Sequence, residues 1–318
     1  CGRNTTILSE MGGYGDRFFY CIVDETDIVA GRHLGKIPQA VAEVVEALPQ
    51  EPSVVMICMT CVDALLGTDM ERVCRKAEAK VGLPVVPCYM YALTREGRKP
   101  PMVDVRRAIY SLLERDDRDS RTVNILGHFA PLRDTCELYG VLRQLGIRRV
   151  NEISRCRDFA EYKAMSKANF NVILHPEARL AAQDMERRLG IPSIELTRLY
   201  QIDKIRSQYQ AFAGALGGAA DDTVWHDEAA ADVEKAAKQY GGTTIAIGEM
   251  QNGNAFEMAL ALTQYGFAVK EIYASVSPYD FAYIRRLEAV SPDTEVYSNL
   301  SPSMLYYEGG DHPVELTI

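Results

Sequence analysis

The chain has 318 residues, 47% of them apolar and 25% charged, the balance of an ordinary globular protein large enough for two or three domains. Its net charge of −9 speaks against a nucleic-acid surface, because phosphate binding needs clustered Lys and Arg to release counterions. No apolar stretch reaches membrane-spanning length and no signal-like segment opens the chain, so a cytoplasmic protein acting on a small ligand or a protein partner is expected, with no nucleic acid and no membrane involved.

Short β-branched runs alternate with amphipathic stretches almost throughout, the signature of repeated βα units and parallel sheets. A first block holds Asp27-Ile28-Val29-Ala30-Gly31, a helix near 38–48, a strand over 52–57, a helix near 70–81, a strand over 84–87 and a helix near 103–113. The charge run Glu114-Arg115-Asp116-Asp117-Arg118-Asp119-Ser120-Arg121 closes it as a solvated linker. In the second block a strand at 122–126 turns at Gly127, followed by a helix over 134–145, strands at 149–153 and 169–174, a helix over 176–189, a strand at 193–196 and a helix near 204–216. The third has helices near 228–239, 255–265 and 280–287 and strands at 243–247, 268–273 and 294–297. The pattern predicts an α/β fold of three Rossmann-like domains over 1–118, 119–220 and 221–318, with parallel sheets flanked by helices. Because the chain begins at Cys1 rather than Met and ends in a strand-like run, a piece of a longer protein is expected, with its third domain incomplete.

The glycine turns are not dinucleotide fingerprints: Gly127 is followed by His128-Phe129-Ala130 and Gly248 by Glu249-Met250-Gln251. The close glycines that admit a pyrophosphate are missing, which disfavours NAD. There is no Gly-x-x-x-x-Gly-Lys-Ser/Thr loop either, so the chain is not expected to hydrolyse ATP itself. Gly12-Gly13-Tyr14-Gly15 reads as a turn.

Cys58-Met59-Thr60-Cys61 follows an apolar strand, which puts Cys61 at a strand's carboxyl end, where open α/β sheets gather ligands. A thiolate there suits an iron–sulfur cluster, a soft metal or a redox step. A redox motif of the thioredoxin kind would begin a helix directly, whereas Val62–Thr68 are expected to intervene, and a zinc site would need a second such pair. Eight cysteines in so long a chain are not a disulfide scaffold, so reduced thiols are expected. Cys74, Cys88, Cys136 and Cys156 fall on helix or strand patterns and read as buried, inert thiols. Cys58, closing the strand, fits either a ligand or a core residue.

These residues carry a resemblance. The run from Cys61 to Gly67 and Asp69 resembles the Cys-x5-Gly-(Asp)-Asp segment of the nitrogenase component 1 family. Cys1-Gly2-Arg3 is similar to the segment where that family places another cluster cysteine, and Asp27-Ile28-Val29-Ala30-Gly31 to its Glu-Lys-Asp-Ile-Val-Phe-Gly stretch. In the second block, Tyr162-Lys163-Ala164, Asn169-Phe170-Asn171-Val172 and Gly190-Ile191-Pro192 resemble its Ala-x-Leu-Asn-Ile-Val…Gly-Ile-Pro pattern. The likeness runs in order over nearly the whole chain.

The family includes nitrogenase proper, its cofactor-assembly scaffold, the dark-operative protochlorophyllide reductase and the nickel-sirohydrochlorin cyclase reductase. The resemblance implies three Rossmann-like domains and an iron–sulfur cluster, 4Fe-4S or larger, at a subunit interface. It also implies a homodimer or a heterodimer with a related subunit, and electrons delivered by a separate ATP-hydrolysing iron protein. Cys1 and Cys61 would be cluster ligands, and Cys21, near a position where some members place a ligand, joins them as a candidate together with Cys58. The family's first cluster cysteine lies upstream of the Cys-Gly segment, before residue 1. Where molybdenum nitrogenase has a cofactor-binding cysteine, this chain has Leu174-His175-Pro176; His175 is the candidate for a second metallocofactor, with a strand-end histidine bonded to backbone as the alternative. The leading expectation is thus the electron-accepting subunit of a nitrogenase-like reductase for a small or tetrapyrrole-type substrate. The alternatives are a non-catalytic scaffold for cluster or cofactor assembly and a plain small-ligand α/β domain with buried thiols.

Overall fold

Side-chain caps set the first chain reversals. Asp24 forms a capping box with Asp27 and starts the helix Glu25–Val29, so most of the β-branched run at 27–31 is helical rather than extended. The helix His33–Ala47 follows; it begins ahead of Pro38 and carries that proline inside, at the loss of one helical hydrogen bond. Asp69 accepts the Arg72 N–H to start the helix Met70–Val81, which stops at Gly82 in the left-handed region. Met70, Val73, Cys74 and Ala77 share its buried face at helical spacing.

The computed structural model describes residues 9–59, 61–90, 101–248, 253–298, 301–309 and 313–318. Among the described residues, three parallel sheets flanked by helices make an α/β fold. In the first, β1 (Val55–Met59) pairs with β2 (Val85–Tyr89), and Val41, Cys74, Ala77, Leu83 and Val85 form a core beside it. The second has the order β4-β3-β5-β6, with β3 (Asp119–Leu126), β4 (Arg149–Glu152), β5 (Ala168–Ile173) and β6 (Ser193–Glu195). The third has the order β10-β7-β8-β9, with β7 (Thr244–Ile247), β8 (Ala268–Tyr273), β9 (Glu295–Tyr297) and β10 (Leu316–Thr317). No helix among the described residues is long and apolar enough to cross a membrane.

The described residues fall into two compact units, the first within 1–117, 156–167 and 176–193 and the second within 118–155, 168–175 and 194–318. The first unit therefore takes in the helices Phe159–Lys163 and Arg179–Leu189, although they follow β4 and β5 in sequence. Polar contacts fasten them to the helix Pro101–Ile109 and its end: Arg106 pairs with Glu177 at 2.5 Å, and the Tyr162 hydroxyl donates to the Ile109 carbonyl at 2.7 Å. Arg188 donates to the Leu113 and Tyr110 carbonyls, each at 2.9 Å.

Inside the second unit, β3 is covered on both faces, as a central parallel strand should be. Val123 and Ile125 are buried among Leu138, Val141, Phe170, Val172 and neighbouring apolar side chains, and Leu126, on the other face, is fully buried as well. Asn124, equally buried, sits in register with Asn151 and Asn171 on the flanking strands. Asn151 donates to Asn124 at 3.0 Å and Asn124 to Asn171 at 2.9 Å, so the three amides are linked across the sheet. Residues 114–118 of the charge run are exposed, while β3 already begins at Asp119 within that run. The unit also buries the Glu257 carboxylate, which accepts the N–H groups of Tyr200 and Gln201 at 2.8 and 3.2 Å.

Candidate metal centre

The thiols named from sequence divide into distinct environments. Cys1 lies outside the described residues. Cys58 is the next-to-last residue of β1, and Cys61 is the first residue of the helix Cys61–Leu65. The expectation of a non-helical stretch after Cys61 is overturned: Val62–Leu65 are themselves the helix, and only Gly67, at φ 62°, turns the chain out of it. Cys61 is half-buried at the carboxyl end of β1.

Cys21 is exposed on the segment that leads into the Asp24 capping box. Partial desolvation raises its thiol pKa; the Lys36 ammonium opposes this, and the carboxylates of Asp27, Asp63 and Glu43 add to it. The influence of Asp63 places Cys21 within electrostatic range of the helix that Cys61 begins. Asp27 fixes this corner. It accepts Arg32 Nε at 3.0 Å and Lys36 Nζ at 2.7 Å, and these two bonds hold its carboxyl down at about 2.

Cys58 is placed differently. It is the register partner of Cys88 on β2. Interaction with the Cys88 thiol lowers the Cys58 thiol pKa against partial desolvation, whereas Cys88, buried at 3% exposure, is pushed up by the same interaction and by its burial. Cys88 is buried as expected, with Cys58 as its register partner on β1. Cys74 is buried as expected, its thiol raised to about 12 mainly by desolvation, while Cys136 and Cys156 are half-buried rather than buried.

Among the described residues no three His, Cys, Asp or Glu side chains converge on one metal-ion position. The donor set still fits an iron–sulfur cluster in kind, since it offers thiols outside the apolar core, and a cluster spreads its ligands more widely than a single ion does.

His175 lies at the carboxyl end of β5, half-buried, next to the end of β3. Gly127 has φ 125° there, and a Cβ on it would stand 2.8 Å from both the Cβ and the backbone nitrogen of His175. This close approach brings the His128 ring to 6.3 Å from that of His175, at 73°. Sequence reading missed His128, although the strand–Gly–His order pointed to it. It also missed Glu152, buried at the end of β4, which accepts the Leu132 N–H at 2.9 Å, the Tyr139 hydroxyl and Arg155 Nε at 3.0 Å. Arg155 in turn reaches Asp134 at 2.7 Å and the Leu132 carbonyl at 2.6 Å. A carboxylate so fully supplied with donors holds the loop after β3 to β4.

The family model for nitrogenase component 1 type oxidoreductases matches residues 6–318. The chain belongs to that family. Among curated relatives, the nitrogenase iron-molybdenum cofactor biosynthesis protein NifE of Rhizobium meliloti is 26% identical over 311 residues, covering 93% of this chain and 64% of that protein. NifE of a Nostoc species is 28% identical over 199 residues, or 61% of this chain and 41% of the relative. The nitrogenase molybdenum-iron protein alpha chain of Methanosarcina barkeri is 26% identical over 204 residues, or 61% of this chain and 37% of the relative. The chain therefore spans less than two thirds of the length of these curated relatives. A solved structure of nitrogenase Cp1 at pH 6.5 superposes with a TM-score of 0.66 at 15% identity, over 89% of this chain and 67% of the other, and so shares the nitrogenase MoFe protein-like fold.

Proposed function

We propose that this nitrogenase component 1 family member is a scaffold subunit that holds an iron–sulfur cluster or metallocofactor precursor and passes it on. The observation that carries the reading is the likeness to a cofactor biosynthesis protein along 93% of this chain, the longest stretch among the relatives described. In this reading Cys1, Cys21 and Cys61 supply thiolates to the cluster. Cys58 is left out of this set because it stands on the strand as the register partner of Cys88 rather than beyond the strand end with Cys61. Thiolates stabilise iron in both oxidation states, and neighbouring charge then tunes the site. Asp27 and Lys36 hold the segment that bears Cys21, and the short helix behind β1 positions Cys61. His175, with His128 beside it, is the proposed second donor site for cofactor binding.

The partners proposed are a related subunit, or a second copy of the chain, covering the cluster edge, and an ATP-hydrolysing iron protein as electron donor. The apolar side chains of Tyr20, Ile22, Leu65 and Leu66 are exposed around the two thiols, which supports a covering subunit. A second reading, a catalytic reductase subunit, draws on the similarity to the molybdenum-iron protein alpha chain.

The test uses full-length protein purified without oxygen. A scaffold contains iron and sulfide and activates a cofactor-free acceptor of the nitrogenase class on mixing, without turnover of its own. Substrate reduction sustained by an iron-protein homologue would replace this reading with the reductase, and absence of both iron and sulfide would defeat both.

A further inference from the structure

We infer that Cys58 and Cys88 form a reversible dithiol–disulfide pair, a modification site on the first sheet distinct from the proposed cluster ligands. The two residues are Cα partners on parallel neighbours β1 and β2. Adjacent strands stand about 4.8 Å apart, inside the window of roughly 4.4–6.8 Å between Cα atoms that a disulfide needs. Register partners on neighbouring strands point to the same face of a sheet, so the two side chains stand side by side. Bond formation therefore needs side-chain rotation rather than strand movement.

Burial divides the roles. Cys58 is exposed and meets an oxidant from solvent, whereas Cys88 at 3% exposure stands behind it as the resolving thiol. Interaction with the Cys88 thiol also favours the thiolate of Cys58, the form that reacts.

The oxidant is a peroxide. The Cys58 thiolate attacks one oxygen of hydrogen peroxide, the O–O bond breaks, and hydroxide leaves and takes up a proton as water, giving a sulfenic acid at Cys58. Cys88 then attacks that sulfur, the S–O bond breaks, and water leaves with the Cys88 proton. Two thiols and one peroxide thus give one disulfide and two waters. A dithiol reductant reverses it. Cys61 is the competing partner for Cys58, three residues along the chain, but it opens a helix and shares no register position with the strand thiol.

Full-length protein purified anaerobically is treated with stoichiometric hydrogen peroxide, its remaining thiols are alkylated, and its peptides are mapped by mass spectrometry while iron release is followed in the same sample. The expected product is a peptide pair joined between Cys58 and Cys88, lost on treatment with dithiothreitol and never formed in Cys58→Ser. In Cys88→Ser, Cys58 should instead be trapped by dimedone as a sulfenic acid. Should that buried substitution prevent folding, the exposed Cys58→Ser variant still decides, because it should protect Cys88 from oxidation. A bond from Cys58 to Cys61, or a sulfinic acid at Cys58 with Cys88 still free in the unaltered protein, overturns the proposal. Cluster damage registers separately as released iron, so failure of the cluster reading does not mimic either result.

Discussion

Gly127 and His175 meet at the carboxyl ends of β3 and β5, and the chain can pass there only because residue 127 has no side chain. An added Cβ would stand 2.8 Å from the His175 backbone nitrogen, on a residue whose φ of 125° L side chains rarely adopt. Gly127→Ala should destabilise the protein by about 2 kcal/mol or more, from strain plus displacement of His175. Denaturant midpoints provide the measurement. A midpoint equal to that of the parent would mean that this crossing is soft and that His175 is not fixed by it.

The amide ladder through β3 makes a second prediction. Replacing Asn124 with Leu removes one hydrogen-bond partner from the Asn171 oxygen and one from the Asn151 amide, both buried. Each buried bond lost in this way costs about 1–3 kcal/mol, so the loss should reach roughly 2 kcal/mol or more. Arg157→Ala, which removes an exposed pair with Glu161, should cost no more than about 1 kcal/mol. If the two variants unfold at the same denaturant concentration, the ladder contributes nothing beyond a surface contact.

Acid should loosen the corner that carries Cys21. Asp27 has its folded-state carboxyl held at about 2, below the unfolded value of 3.8, by Lys36 and Arg32. The linkage is therefore fully present above the unfolded value and is lost as pH falls from about 4 toward about 2. Asp27→Asn should remove that portion of the acid dependence, read as stability against pH. An unchanged acid limb in the variant would show that the ion pairs do not stabilise the fold.

His226 works in the opposite sense. Hydrogen bonds to Asp203 and Asp227, each at 3.0 Å, raise its pKa above 6.5, with Arg206 opposing. The stabilisation is complete below the unfolded value and is lost as pH rises through the raised one. A titration of the His226 ring by NMR should give a midpoint above 6.5 that falls in Asp203→Asn. A midpoint at or below the model-peptide value would contradict the arrangement.

Cys61→Ala in the full-length protein should lower iron content and cluster absorbance, whereas Cys74→Ala, at a thiol buried in the apolar core, should leave both unchanged while costing stability. Equal iron in the two variants would remove Cys61 from the ligand set.

Much of the fold was written locally. Asp69 and Gly82 bound one helix, β-branched runs form the strands, and their alternation with amphipathic stretches requires parallel sheets, because each of these signals acts within a few residues. The likeness to the family could be read the same way, since its motifs are short and ordered along the chain. Cys61 at a strand's carboxyl end was visible for that reason, and so in principle was the helix beginning at Cys61, since Thr60 ahead of it and Asp63 three residues on have the Ser/Thr-x-x-Asp/Glu order of a helix start, a signal the strand-end reading passed over. Tertiary structure alone decided the rest. It set Cys58 in register with Cys88, brought Cys21 into the field of Asp63, stacked three asparagines across β4, β3 and β5, and drew the helices Phe159–Lys163 and Arg179–Leu189 into the unit of the first sheet. Sheet order and register are choices between distant segments, made by burial over the whole domain, and no local pattern of residues encodes which strand a given thiol will face.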